Sequence, residues 1–147
     1  EVLYDVADSL RRHGIENVLI INGHAGNAGP VLERLDGFRE RLGVNIDFHS
    51  YWEAYTPEFV KEQMETGKCP GHAAEFETAF ALAAFPENVD WDGVDYDSAN
   101  LTISDPNQAK SDRIFHHDAK FATAEKGKAM IDVAADWVAG QMREMMS

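Results

Sequence analysis

Val2, Leu3, Val6, Ala7 and Leu10 repeat at helical spacing, so the chain opens in an amphipathic helix over residues 2–13. Gly14 suits its C-terminal cap, because glycine takes a positive φ without Cβ strain. Val18-Leu19-Ile20-Ile21 is a short apolar run rich in β-branched residues, the pattern of a strand buried on both faces, and Asn22-Gly23 marks its end. Past a glycine-rich loop, Pro30 stands where a first helical position is expected, and Val31, Leu32, Leu35, Phe38 and Leu42 form a helical stripe closed by Gly43. Val44-Asn45-Ile46-Asp47-Phe48 alternates apolar with polar, predicting a second strand that runs on toward His49, Tyr51 and Trp52. Strand, helix, strand implies a right-handed crossover and a parallel pair.

Thr56-Pro57-Glu58 reads as N-cap, proline and acid, the start of a short helix that reaches Thr66 and stops at Gly67. Residues 73–85 favour helix and are apolar nearly all the way round, which predicts a buried helix ended by Pro86. A turn-rich acidic segment from Glu87 to Asp112 follows, with Asp90, Asp92, Asp95 and Asp97. It lacks the glycine and terminal glutamate of a calcium loop and reads as solvated charge. A last helix begins near Thr123, with Met130, Val133, Ala134, Trp137 and Val138 as its stripe. The pattern predicts one α/β domain over residues 1–147. Because Glu1 opens directly into a helical stripe, we expect a chain cut from a longer one.

Composition narrows the function classes. The 147 residues are 44% hydrophobic, and 13 basic against 26 acidic side chains leave a net charge of −13. That balance disfavours a nucleic-acid partner, which needs clustered positive charge, and an anionic membrane surface. No apolar run approaches the roughly 18–20 residues of a membrane span. The single cysteine, Cys69, cannot form an internal disulfide, so a cytoplasmic location is expected. The acidity suits a halophile's salt-rich cytoplasm as well as ordinary solubility.

Two clusters carry candidate chemistry. Asn22-Gly23-His24-Ala25-Gly26-Asn27 follows the first strand, and ligands in open parallel sheets sit beyond the carboxyl ends of strands. Gly23 and Gly26 let backbone approach a metal or substrate, although a glycine turn with a surface histidine fits the same residues. A phosphate-cradling pattern is missing from this loop. In Gly71-His72-Ala73-Ala74-Glu75-Phe76-Glu77-Thr78, His72 and Glu75 share one face at a helix start, whereas Glu77 points about 200° away from Glu75. Phe76, Ala79, Phe80 and Leu82 leave little solvated surface, and a buried carboxylate is costly unless paired or metal-bound. Zinc takes three or four ligands, so one His and one Glu do not by themselves make a site.

Together these residues resemble the creatininase (creatinine amidohydrolase) family. Asn22 to Asn27 is similar to its Asn-Gly-His-Gly-Gly-Asn motif, and His72 to Thr78 to its His-Ala-Gly-Glu-x-Glu-Thr. Ala122-Thr123-Ala124-Glu125-Lys126-Gly127 resembles the opening of its last helix. The resemblance implies a parallel-sheet, three-layer α/β/α domain. It also implies a metal-dependent hydrolase of a carbon–nitrogen bond in a small, often cyclic amide, with two divalent ions (zinc, manganese or iron) and a homo-oligomer, commonly a hexamer. His24 and Glu75 would be metal ligands, Glu75 bridging the ions. His72 would give a proton to the departing nitrogen or orient the substrate, and the backbone around Gly23 and His24 would help bind the carbonyl oxygen. Glu77, Asn22 and Asn27 would orient ligands.

Ala25 and Ala74 replace glycines of the pattern, Ala79 replaces a serine, and His117-Asp118-Ala119 keeps only the Asp of a Gly-Asp-Pro. The family's Glu-x-His pair and following Asp, which supply three further ligands, have no counterpart in this sequence, so an N-terminally incomplete domain is expected. A non-catalytic remnant or interaction domain is the alternative from a different class. Asp47 and His49 at the end of the second strand either replace missing ligands or serve as loop residues, and Trp52 caps a pocket or packs. Adjacent His116 and His117 point apart, and Cys69 is more often an inert small residue than a ligand.

Overall fold

The computed structural model describes residues 1–71, 74–90 and 118–147. They fall into two compact units, one formed by Glu1–Ala54 with Ala135–Ser147 and the other by Tyr55–Ala134.

In the first unit, α1 (Val2–Arg12) ends one residue earlier than the spacing predicts. Gly14 takes φ 81° and returns its N–H to the Arg11 carbonyl at 2.9 Å. β1 (Asn17–Asn22) is followed by α2 (Ala28–Leu42), which starts two residues before Pro30. The proline thus lies in the first helical turn, where backbone N–H groups lack intrahelical acceptors and a missing donor costs nothing. Gly43, at φ 64°, closes α2 as expected.

β2 (Asn45–Ser50) pairs with β1 in parallel, from Asn17 opposite Asn45 to Asn22 opposite Ser50. One face of the pair is apolar. Ile46 and Phe48, flanked by Val18 and Ile20, pack on Ala7 of α1 and on Leu35, Phe38 and Leu42 of α2. Alternation sends Asp47 and His49 to the opposite face. There the His49 ring meets Trp137 edge-on at 5.3 Å, and Asn45 Nδ2 donates to the Met145 carbonyl at 3.1 Å. Trp137 and Met145 belong to α5 (Ala124–Met145), so helical residues cover both faces of the pair and the architecture is α/β.

Beyond Ser50 the chain turns into a 3-10 segment, Tyr51–Ala54, instead of carrying the strand on to Trp52. The cause is local. The Glu53 carboxylate folds back to accept the outward-facing Ser50 N–H at 2.8 Å, which holds the chain in the turn.

In the second unit, Thr56 Oγ1 accepts the Phe59 N–H at 3.2 Å and caps α3 (Pro57–Gln63). This helix ends before the expected Thr66, because the N–H groups of Glu65 and Thr66 turn to the carboxylate of Glu75. Glu75 opens α4 (Glu75–Ala84), ahead of Pro86 as the sequence predicts. The buried helix is confirmed in its first turns by Phe76 and Ala79, which join Tyr55, Met64 and Met130 in the interior. Tyr55 stacks on Phe59 at 5.3 Å, meets Phe76 edge-on at 5.5 Å, and donates its hydroxyl to the Met130 carbonyl. The first half of α5 belongs to this unit and its second half to the other.

Most of the acidic segment, including Asp92, Asp95 and Asp97, lies outside the described residues, as do His116 and His117. Among the described residues no helix is long and apolar enough to cross a membrane.

Cys69 is half-buried, and burial pushes its thiol up to about 11. The reactive thiolate is therefore scarce at neutral pH. Alkylation by iodoacetamide near pH 8 is expected to run about a hundredfold slower than for a free cysteine and to accelerate as pH rises toward that value. Mass-spectrometric time courses check this; a rate equal to that of a cysteine peptide would contradict it.

Candidate metal and catalytic site

Asn22, the last residue of β1, organises the loop that carries His24. Its side chain is buried, yet both ends of the amide are used. Oδ1 accepts the His24 N–H at 3.1 Å and Asn27 Nδ2 at 3.3 Å, while Nδ2 donates to Ser50 Oγ at 3.0 Å. His24 is exposed, and its Nδ1 accepts the Gly26 N–H at 3.1 Å, capping the short 3-10 turn Ala25–Asn27. The neutral ring then carries its proton on Nε2. A Cβ at Gly26 would stand 3.0 Å from the His24 ring, so glycine keeps the imidazole in place, whereas a Cβ at Gly23 would meet nothing. A cavity of about 530 Å³ opens beside this loop, lined by Asn22, Gly23 and Asn27 together with Leu3, Ile20 and Val31.

Glu75 is fully buried. Oε1 accepts the Glu65 N–H at 3.0 Å and pairs with Lys126 Nζ at 2.6 Å, and Oε2 accepts the Thr66 N–H at 2.9 Å. Burial by itself would raise the carboxyl pKa. The Lys126 ammonium and the two amide N–H groups overcome that and hold it below the usual glutamate value. Lys126 also donates to the Phe121 carbonyl at 2.9 Å. The expectation that a carboxylate on this apolar helix must be paired or metal-bound is met here by pairing.

At the end of β2, His49 lies between two carboxylates, Nδ1 at 3.0 Å from Glu53 Oε2 and Nε2 at 3.3 Å from Asp47 Oδ2. Asp47 Oδ1 also takes Arg39 Nη2 at 3.2 Å. Trp52 is half-buried with its ring edge-on to Tyr51 at 5.3 Å. Asp118, from the altered Gly-Asp-Pro segment, pairs with Lys68 Nζ at 2.7 Å. Glu77 is half-buried, and His72 lies outside the described residues. Sequence reasoning assigned no role to Ser50, Glu53 or Lys126. The signal available for Lys126 was its place in the Glu-Lys-Gly that opens α5, and Ser50 had none beyond its position opposite Asn22.

Residues 1–142 match the family model described as creatininase, creatinine amidohydrolase. The chain belongs to the creatininase family. It is 30% identical to a creatinine amidohydrolase of Pseudomonas putida, over 95% of this chain and 60% of that protein. Among solved structures it is similar to a tryptophan-to-phenylalanine mutant creatininase, with TM-score 0.74 and 26% identity over 97% of this chain and 61% of that one. A structure described as creatininase Mn gives TM-score 0.72 and 27% identity over 97% and 62%. The chain thus spans about three fifths of the length of these relatives.

A creatininase with manganese raises the question whether the described residues fit a divalent ion. As arranged, they do not. His24 Nδ1 is taken by the Gly26 N–H. Glu75 has no solvent exposure and both oxygens are engaged. Among the described residues no three His, Cys, Asp or Glu side chains gather as a metal site. An ion at His24 or Glu75 would have to replace one of these internal partners.

Proposed function

We propose that this creatininase-family chain is part of a metal-dependent amidohydrolase that cleaves a carbon–nitrogen bond of a small, cyclic amide. The family match across residues 1–142 carries this reading, and the place of His24 just past the carboxyl end of a parallel strand agrees with it. His24 and Glu75 serve as metal donors in this proposal only by exchanging an internal partner for the ion, the Gly26 N–H at His24 and the Lys126 ammonium at Glu75. Further donors come from outside the described residues, because two are fewer than the three or four that a divalent ion takes. When bound, such an ion supplies an acidified water and polarises the amide carbonyl. Manganese is the favoured ion because of the neighbour described with it, and zinc and iron suit the same ligand types.

The chain's own residues bind and orient. The Gly23 backbone donates to the carbonyl oxygen, since the His24 N–H is held by Asn22 Oδ1; His72 gives a proton to the departing nitrogen or orients the substrate, and Asn22, Asn27 and Glu77 orient the ligands. A pair of ions per site and a homo-oligomer, hexameric by family, complete the proposal.

The test is creatinine hydrolysis by the full-length protein before and after chelation. Activity that disappears on chelation, returns with manganese or zinc, and is largely abolished by Glu75→Gln is the expected result. Activity indifferent to chelator would overturn the metal dependence. A folded, full-length protein with neither hydrolysis nor bound metal would instead mark a non-catalytic interaction domain.

A further inference from the structure

We propose that Ser50 is a positioning residue for His24, acting through Asn22. The register places Ser50 directly opposite Asn22, so both side chains stand on the same face of the strand pair. Both are buried, at 3% and 4% exposure, where an unmatched polar group is costly. An asparagine amide has one accepting and one donating end, and the direction it faces decides what the loop beyond it can do. Ser50 Oγ takes the donating end at 3.0 Å, which commits Oδ1 to the His24 N–H and to Asn27 Nδ2. Reversed, the amide would aim its NH2 at two donors. Ser50 is itself fixed, since its N–H is held by Glu53 at 2.8 Å and Glu53 is held by His49 at 3.0 Å. The end of β2 thereby sets the backbone at His24, and that backbone sets the imidazole that accepts the Gly26 N–H.

What His24 is positioned for rests on the function proposed above; the positioning does not. The experiment compares wild type, Ser50→Ala and Ser50→Cys in the full-length protein, reading His24 imidazole nitrogen shifts, hydrogen exchange at the His24 and Gly26 amides, urea stability and manganese content. In Ser50→Ala these amides are expected to exchange about tenfold faster, and the His24 nitrogens to move toward tautomer-averaged values. The nearly isosteric Ser50→Cys, a weak acceptor, should fall between alanine and wild type. It carries the test if the alanine variant does not fold. Variants that lose stability while His24 keeps wild-type shifts and exchange would overturn the proposal. Altered His24 signals with unchanged manganese content would uphold the positioning and remove His24 from the metal centre.

Discussion

Replacing Lys126 by Met is expected to cost about 3–5 kcal/mol of folding stability, the penalty for stranding a buried charge. Glu75 is fully buried and Lys126 Nζ, at 2.6 Å, is the cation at its carboxylate. Without it the buried carboxylate keeps the Glu65 and Thr66 donors and, among the described residues, loses the cation that pairs with it. Lys126 also loses its bond to the Phe121 carbonyl, so the 3-10 turn Ala119–Phe121 loosens with it. Adding Glu75→Gln to Lys126→Met should recover part of the loss, because the stranded charge is removed together with its partner. Urea unfolding of the single and double variants measures both effects. A Lys126→Met variant within 1 kcal/mol of wild type, about the scale of an exposed pair, would show the contact to be superficial.

The neighbouring position gives the second large effect. Gly127→Ala is expected to destabilise by about 3 kcal/mol, at the upper end of overpacking penalties. A Cβ there would fall on the Ala79 peptide, 2.5 Å from its carbonyl carbon, and 2.8 Å from Ala83 Cβ. Two of those obstacles are backbone and the third is a methyl group, so none can swing aside. The α4 and α5 backbones would have to separate. Gly37→Ala in α2 is the control, since its Cβ meets nothing and an exposed helical glycine costs about 0.5–1 kcal/mol relative to alanine. Urea midpoints should therefore move in opposite directions for the two substitutions. Equal shifts would contradict the close helix approach.

Lys126 and Gly127 explain why a short Glu-Lys-Gly opens the last helix: one residue neutralises a buried acid and the next lets two backbones touch. Neither role was legible in sequence. Burial of Glu75 could be read from the apolar residues around it, but its partner lies 51 positions downstream and is met only through folding. The parallel pair and the order of helices followed from apolar periodicity, as did the glycine stops at Gly14 and Gly43. Boundaries failed where a side chain competed with the backbone pattern. Glu53 holds the turn that follows Ser50, and Glu75 drew the Glu65 and Thr66 amides away from α3. The loop that carries His24 just past β1 was legible from its glycines, while the Ser50 contact at its base depends on strand register, which composition does not encode.

The claim that His24 and Glu75 serve a divalent ion is tested most directly by counting metal. Full-length wild type, His24→Ala and Glu75→Gln are purified in the presence of manganese or zinc, dialysed, and analysed by inductively coupled plasma mass spectrometry, with circular dichroism confirming the fold. The account predicts a stoichiometric, tightly held divalent ion in the wild type and its loss from both folded variants. A wild type that retains no divalent ion, or variants that retain as much as the wild type, would contradict it.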